Sequence, residues 1–280
     1  MRVQGGRRRA ARPPRRARWR RWYRRVRRAP VTAQWLLAAL AVATLAVLLN
    51  VLYQVARKPT ELFFPVSGVL AKTPQETWQE YGAAFRRFAT PAVRPELLAA
   101  LAQVEGSGNP LVRTYWRWAW VEKPFEMYRP ASSAVGMYQI TDGTFAEARR
   151  YCIHHHALVQ EGAWDDWGSC WFNRLYLRVV PRDAIELTAA YLDLKVNAIL
   201  AQSTHSLPSR AQQQHLAAVV HLCGAGAAAA YARRGFRFVA GQRCGPHDPR
   251  AYLQQVDEMV SEFARLAAAE QRGEPEATQW

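Results

Sequence analysis

Leu101-Ala102-Gln103-Val104-Glu105-Gly106-Ser107-Gly108-Asn109-Pro110 is an apolar helix end followed at once by a glycine-rich break. Leu97, Leu98, Leu101 and Val104 recur at helical spacing after Pro95, so the pattern predicts a helix from about Pro95 to Glu105, stopped by Gly106 and Gly108. Glu105 then falls in the last turn. A helix C-terminus carries partial negative charge and apolar neighbours solvate an anion badly, so such a position disfavours a charged carboxylate. A carboxylic acid that holds its proton is what protonating a leaving-group oxygen requires. These ten residues alone also fit an ordinary solvated Glu at a frayed helix end.

A second stretch, Ser132-Ser133-Ala134-Val135-Gly136-Met137-Tyr138-Gln139-Ile140-Thr141-Asp142, reads as a loop leading into a helix capped near Asp142. Gly136 lets backbone approach a ligand closely. Gln139 places a donor and an acceptor inside an apolar run, where both need partners, from a ligand or from local backbone. Further out, Thr73-Pro74-Gln75-Glu76 is a helix start with a capping-box pattern, and Trp78, Tyr81, Phe85 and Phe88 then mark one aromatic face. Helical patterns follow Pro181 and Ser209, and another covers Ala227 to Arg233. The last begins at Asp248-Pro249 and runs through Tyr252, Leu253, Val256, Met259, Val260, Phe263 and Leu266. No convincing alternating strand is visible. The expectation is one mostly helical domain over residues 73–268 and a polar tail over residues 269–280.

The charge is concentrated elsewhere. The 280 residues carry a formal net charge of +16, and the 14 arginines of residues 1–30 account for all but +2 of it. A DNA-binding fold would spread basic charge over a folded face, so this distribution argues against nucleic acid as the partner of the domain. Residues 1–32 form an Arg-rich arm with too few aliphatic side chains to pack. Trp35 to Tyr53 then has no charge, and ~20 apolar residues cross a bilayer core, so residues 33–55 are expected to be a single membrane span with an aromatic ring at each end. A cleaved signal peptide is the alternative. It would have a shorter apolar region and a small-residue cleavage site, where this run ends in Tyr-Gln-Val-Ala-Arg-Lys. Arginines before the span place the N-terminus in the cytoplasm. Residues 56–72 read as a linker, and the domain beyond it lies in the periplasm of a bacterium. The arm's charge either only sets topology or, on the sharper reading, contacts anionic lipid headgroups or nucleic acid. Cys152, Cys170, Cys223 and Cys244 all follow the span, and an even count in an oxidising compartment suggests two disulfides. Three connectivities are open; Cys152–Cys170 and Cys223–Cys244 close the shortest loops. A zinc site using His154, His155 and His156 is the alternative, although no CxxC or His-x3-5-His spacing supports it.

The chain resembles the lytic transglycosylases of the soluble-transglycosylase family, which share the goose-type lysozyme fold. The family's first motif is a catalytic Glu closing a helix, then Ser, two variable residues and Asn-Pro; here it is Glu105-Gly106-Ser107-Gly108-Asn109-Pro110. The second, Gly-Leu-Met-Gln and an apolar residue, corresponds to Gly136-Met137-Tyr138-Gln139-Ile140. The third, Ala-Tyr-Asn-Ala-Gly on a late helix, corresponds to Val220-His221-Leu222-Cys223-Gly224. Order and spacing match from Glu105 to Gly226. The departures are Gly106 for Ser, with Ser107 one residue on; Tyr138 for Met; and His221 and Leu222 for Tyr and Asn. The family Tyr lies close to the catalytic Glu, so His221 either replaces its hydrogen bond, marks a diverged subgroup, or is an interior histidine with local partners.

The resemblance implies a lysozyme-like helical domain that cuts the β-1,4 bond between N-acetylmuramic acid and N-acetylglucosamine in peptidoglycan. It implies Glu105 as acid and then base, and no metal or cofactor. It also implies a sugar-binding role for Ser107, Tyr138, Gln139 and His221. Sugars stack on aromatic faces, so Tyr115, Trp116, Trp118 and Trp120 are either a glycan platform or core. Two other readings stay open. A hydrolytic muramidase would need a second carboxylate, such as Glu122 or Glu126. A non-catalytic glycan-binding scaffold would serve an envelope-spanning secretion or conjugation machine.

Overall fold

A computed structural model of the chain describes residues 27–58, 68–112, 116–118, 128–130, 132–166, 168–202 and 208–273. Among them are seven α-helices and four short strands. The chain divides into two bodies, residues 1–54 with 118–129, and residues 55–117 with 130–280.

The first body contains most of helix α1, Val31–Arg57. Trp35, Leu36, Leu40, Leu45 and Leu52 are all exposed on it. Over Val31–Ala56 it is long and apolar enough to cross a membrane, at about 39 Å for 1.5 Å rise per residue. Of the Arg-rich arm, residues 1–26 lie outside the described residues.

The second body is built on helices whose starts are mostly set by local capping signals in the sequence. Helix α2, Pro74–Phe88, starts at Thr73 with both halves of a capping box to Glu76. Its aromatic face is core: Phe85 is fully buried, and Trp78 packs on Phe263 with ring centroids 5.8 Å apart. Helix α3, Pro95–Gly106, is fully buried from Leu97 to Ala102. Strands β1, Trp116–Trp118, and β2, Tyr128–Pro130, pair with each other; Trp118, Tyr128 and Arg129 of this pair belong to the first body. Helix α4, Asp142–Ala148, is capped by Thr141, one residue before the expected cap. Helix α5 spans Pro181–Ala201. Helix α6, Arg210–Arg233, opens on a Ser209–Gln212 capping box and breaks at Gly224 (φ 79°), so the two helical patterns after Ser209 form one kinked element. It meets the same length and apolarity test as α1, but packs against α5 and the last helix as a core helix does.

Helix α7, Pro249–Arg272, is capped by Asp248 and packs most extensively against α3. It runs four residues into the stretch expected as polar tail. The reason is Glu270, which accepts from Trp78 Nε1 at 3.0 Å and pairs with Arg86 at 2.9 Å, tying the end of α7 to α2.

The expectation of no strands is overturned. Strand β3, Tyr151–His154, pairs antiparallel with β4, Ala157–Gln160, across a two-residue turn in which His155 and His156 both have positive φ. Cys152 and Ile153 are consecutive and both buried, so the alternation that marks a half-buried strand is missing. Ile153 N–H donates to the buried Glu186 carboxylate on α5, which also accepts from the Tyr176 hydroxyl. Disulfides join Cys152 to Cys170 and Cys223 to Cys244, the pairing that closes the shortest loops.

Candidate active site

The buried barrel of α3 carries Glu105 to the edge of the core, where its side chain is 19% exposed. Ser107 ends the helix in the left-handed region (φ 50°, ψ 40°), and its N–H and that of Gly108 return to Gln103 and Ala102 carbonyls. Two side chains from distant helices meet the carboxylate. The Tyr252 hydroxyl of α7 donates to Glu105 Oε1 at 2.7 Å. His221 Nε2 of α6 lies 3.6 Å from the same oxygen.

Beneath them the second motif forms the floor. Val135 and Ile140 exchange backbone hydrogen bonds of 3.1 and 3.0 Å, closing a tight loop around Gly136 to Gln139. Gly136 has φ 77°, and a Cβ there would fall onto the Arg178 carbonyl oxygen. Gly106 lies flat on this loop: a Cβ on it would sit 2.8 Å from the Met137 carbonyl oxygen. Glycine at position 106 therefore has a local cause, the close approach of the helix end to the Met137 backbone. Tyr138 is fully buried, donates its hydroxyl to the Leu98 carbonyl of α3 at 3.0 Å, and presents its ring edge-on to His221 at 6.4 Å between centroids. The second stretch thus meets Gly106 and His221, the residue beside Glu105 and one of the two side chains at its carboxylate.

The two partners differ electrically. Burial, then the Glu105 charge and hydrogen bond, push the Tyr252 phenol well above its ordinary value, so it stays a donor at working pH. Burial lowers the His221 imidazole from its ordinary 6.5, opposed by the Glu105 charge and by a hydrogen bond to Tyr138 backbone. The site joins a carboxyl group, a permanent hydrogen-bond donor and a mostly neutral imidazole, which suits proton transfer to and from a substrate oxygen.

Several expected sugar contacts take other positions. Tyr138 has no exposed surface to offer a sugar; desolvation of a large ring makes it a strut between α3 and His221. Gln139 is part-buried at φ 48° and donates to the Gly136 carbonyl at 2.9 Å, the local-backbone alternative, which leaves its side-chain carbonyl free of that bond. Ser107 is exposed at the helix end, and its backbone carbonyl accepts from Lys72. Trp116 and Trp118 belong to β1. Their side chains lie outside the described residues, as do Tyr115, Trp120, Glu122 and Glu126. The zinc alternative loses its cysteines to the disulfides, and His156 Nδ1 instead meets the Ala89 carbonyl at 2.9 Å. In the sequence Tyr252 is one position in an apolar stripe. Its role is carried by a contact across 147 residues, and no local pattern announces it. No family model matches the chain, and no curated protein matches it.

Proposed function

We propose that the chain is a membrane-anchored peptidoglycan lytic transglycosylase, a glycan-cleaving lyase on a goose-type lysozyme-like fold. Glu105 donates its proton to the glycosidic oxygen as the bond from that oxygen to the muramic anomeric carbon breaks. As carboxylate it then takes the proton of the muramic 6-hydroxyl, whose oxygen attacks the anomeric carbon and leaves a 1,6-anhydro ring. The substrate supplies its own nucleophile, so the second carboxylate of ordinary glycosidases is not needed. The observation that carries this reading is the meeting of Tyr252 and His221 on one oxygen of Glu105, at the point where the three motif stretches come together. A surface glutamate at a frayed helix end would have neither partner.

The N-terminal apolar helix and the two disulfides support a bacterial inner-membrane location, with the Arg-rich arm in the cytoplasm and the domain in the periplasm beside its substrate. The partners on this reading are glycan strands and the bilayer. Service to a secretion or conjugation machine is a further role that the same activity would fill.

The test is digestion of purified peptidoglycan with the full-length chain in detergent, read by mass spectrometry, with Glu105→Gln alongside. Anhydro-muramyl products that vanish in the variant are the expected result. Reducing-end products would replace the lytic reaction by hydrolysis. Absence of products from the folded chain would replace catalysis by glycan binding.

A further inference from the structure

Beyond α1, seven large apolar side chains are exposed among the described residues, and five of them fall within one short stretch: Trp164, Phe172, Leu175, Leu177 and Val180. Single exposed apolar side chains are ordinary, whereas a cluster marks a surface that meets something other than water. We propose that the loop over residues 161–180 is a membrane-contact surface, whose apolar side chains enter the interfacial region of the bilayer that α1 spans. The proposal rests on α1 being a membrane anchor, and it is independent of the reaction proposed above.

The loop is built with its polarity turned round. Its buried residues are Ser169, Cys170 and Asn173, and its large apolar residues face out. The polar side chains are spent inward. Asn173 Nδ2 donates to the Tyr151 carbonyl of β3 at 2.6 Å, and Ser169 Oγ donates to the Ala163 carbonyl at 2.9 Å. Cys170 is bonded to Cys152 of β3, and an ion pair from Arg174 to Glu161 closes the stretch on itself. At its far end Arg178 donates to the Ser133 and Ile140 carbonyls. In the 3-10 turn Trp171–Leu175, side chains three apart lie one above the other, so Phe172 and Leu175 share a face. The Trp171 ring stacks on Phe172 with centroids 3.7 Å apart. Covalent and hydrogen bonds on the inner side therefore fix the loop with its apolar side chains outward.

The chain itself says which surface lies near. Helix α1 ends at Arg57, and Lys72 is already fixed on the domain, its N–H donating to the Ser107 carbonyl. The 14 residues from Lys58 to Lys72 reach at most ~50 Å at about 3.5 Å each, so a bilayer that holds α1 is never further than that from Lys72. The side chains fit a bilayer better than a glycan. Leu175, Leu177 and Val180 have no group to hydrogen-bond a sugar hydroxyl, and Trp beside aliphatic residues is the composition of the membrane interface. Three acidic residues and three arginines over residues 161–182 cancel, so the attraction is apolar and needs no anionic lipid.

The test uses the full-length chain in phosphatidylcholine vesicles, a fraction of whose lipid carries a diazirine near the carboxyl end of one acyl chain. After illumination, mass spectrometry maps the lipid adducts. They are expected on α1 and on the peptide over residues 161–180, in low and high salt alike. The double variant Leu175→Asp, Leu177→Asp puts charge on side chains that are 71% and 57% exposed, where the fold does not depend on them. It is expected to lose the loop adducts and keep those on α1, and Trp164→Asp, on a separate turn, to weaken them independently. Adducts on α1 with none on the loop overturn the proposal, as do loop adducts that survive the double substitution or vanish in high salt. Adducts on neither overturn the anchor, and the proposal with it. Deuterium exchange then reassigns the patch. Protection of residues 161–180 on adding purified glycan strands gives it to glycan, and protection that rises with chain concentration gives it to a second copy.

Discussion

At the scale of the residue, the site depends on what touches Glu105. Tyr252 donates a hydrogen bond to its carboxylate from a phenol that stays protonated at working pH. A hydrogen bond to a charged group contributes about 1.5–3 kcal/mol, and 1.36 kcal/mol is tenfold in rate. Tyr252→Phe keeps the ring and removes the hydroxyl. On the proposed transglycosylase reading it should lower kcat by roughly 10–100-fold by that conversion, with a much smaller change in KM. Steady-state release of muropeptides measures this; a variant with full kcat and a lowered melting temperature would assign Tyr252 to packing alone. The phenol was invisible in the sequence as a site residue, because an apolar stripe on a helix accepts Tyr for burial as readily as for chemistry.

At the scale of the element, close approach of backbones decides more than composition does. Gly106 ends α3 with room for no side chain against Met137, whereas Gly143 of α4 has open space where its Cβ would be. Gly106→Ala should therefore destabilise by about 1–3 kcal/mol through overpacking. Gly143→Ala, also helical, should be neutral or slightly stabilising. Paired thermal melts give the comparison, and equal melting temperatures would mean that the α3 end yields to the added methyl. The helix starts were readable because capping is local: Thr73 with Glu76 and Ser209 with Gln212 satisfy each other within three residues. The β3–β4 hairpin was not. Its strands are four residues each, both central positions of β3 are buried, and its turn uses histidines where Asn-Gly is the usual signal.

At the scale of the whole molecule, the domain closes on itself through its last helix. α7 packs along α3 and delivers Tyr252 to Glu105 at one level and Glu270 to Trp78 and Arg86 at another. Those donors lower the Glu270 carboxyl below its ordinary 4.5, the Trp78 hydrogen bond most. A depressed carboxyl contributes stability that is present above the unfolded value and is lost as pH falls through the folded one. Glu270→Gln should thus lower the melting temperature modestly at pH 7, the carboxylate being half exposed, and the difference should shrink as pH falls below 4.5. A difference independent of pH would show that the charge is not what ties α7 to α2.

The apolar N-terminal helix, the helical class of the domain, most helix starts and the glutamate at the end of α3 are all written locally in the chain. Each follows from interactions within a few residues: hydropathy, periodicity and capping. The cysteine pairing was narrowed by loop length and met in the structure. Long-range packing makes Tyr138 a buried strut, presses Met137 against Gly106, and brings Tyr252 and His221 to one oxygen of Glu105. Those contacts join segments far apart in the chain, and their geometry arises from helix packing, which no local pattern encodes.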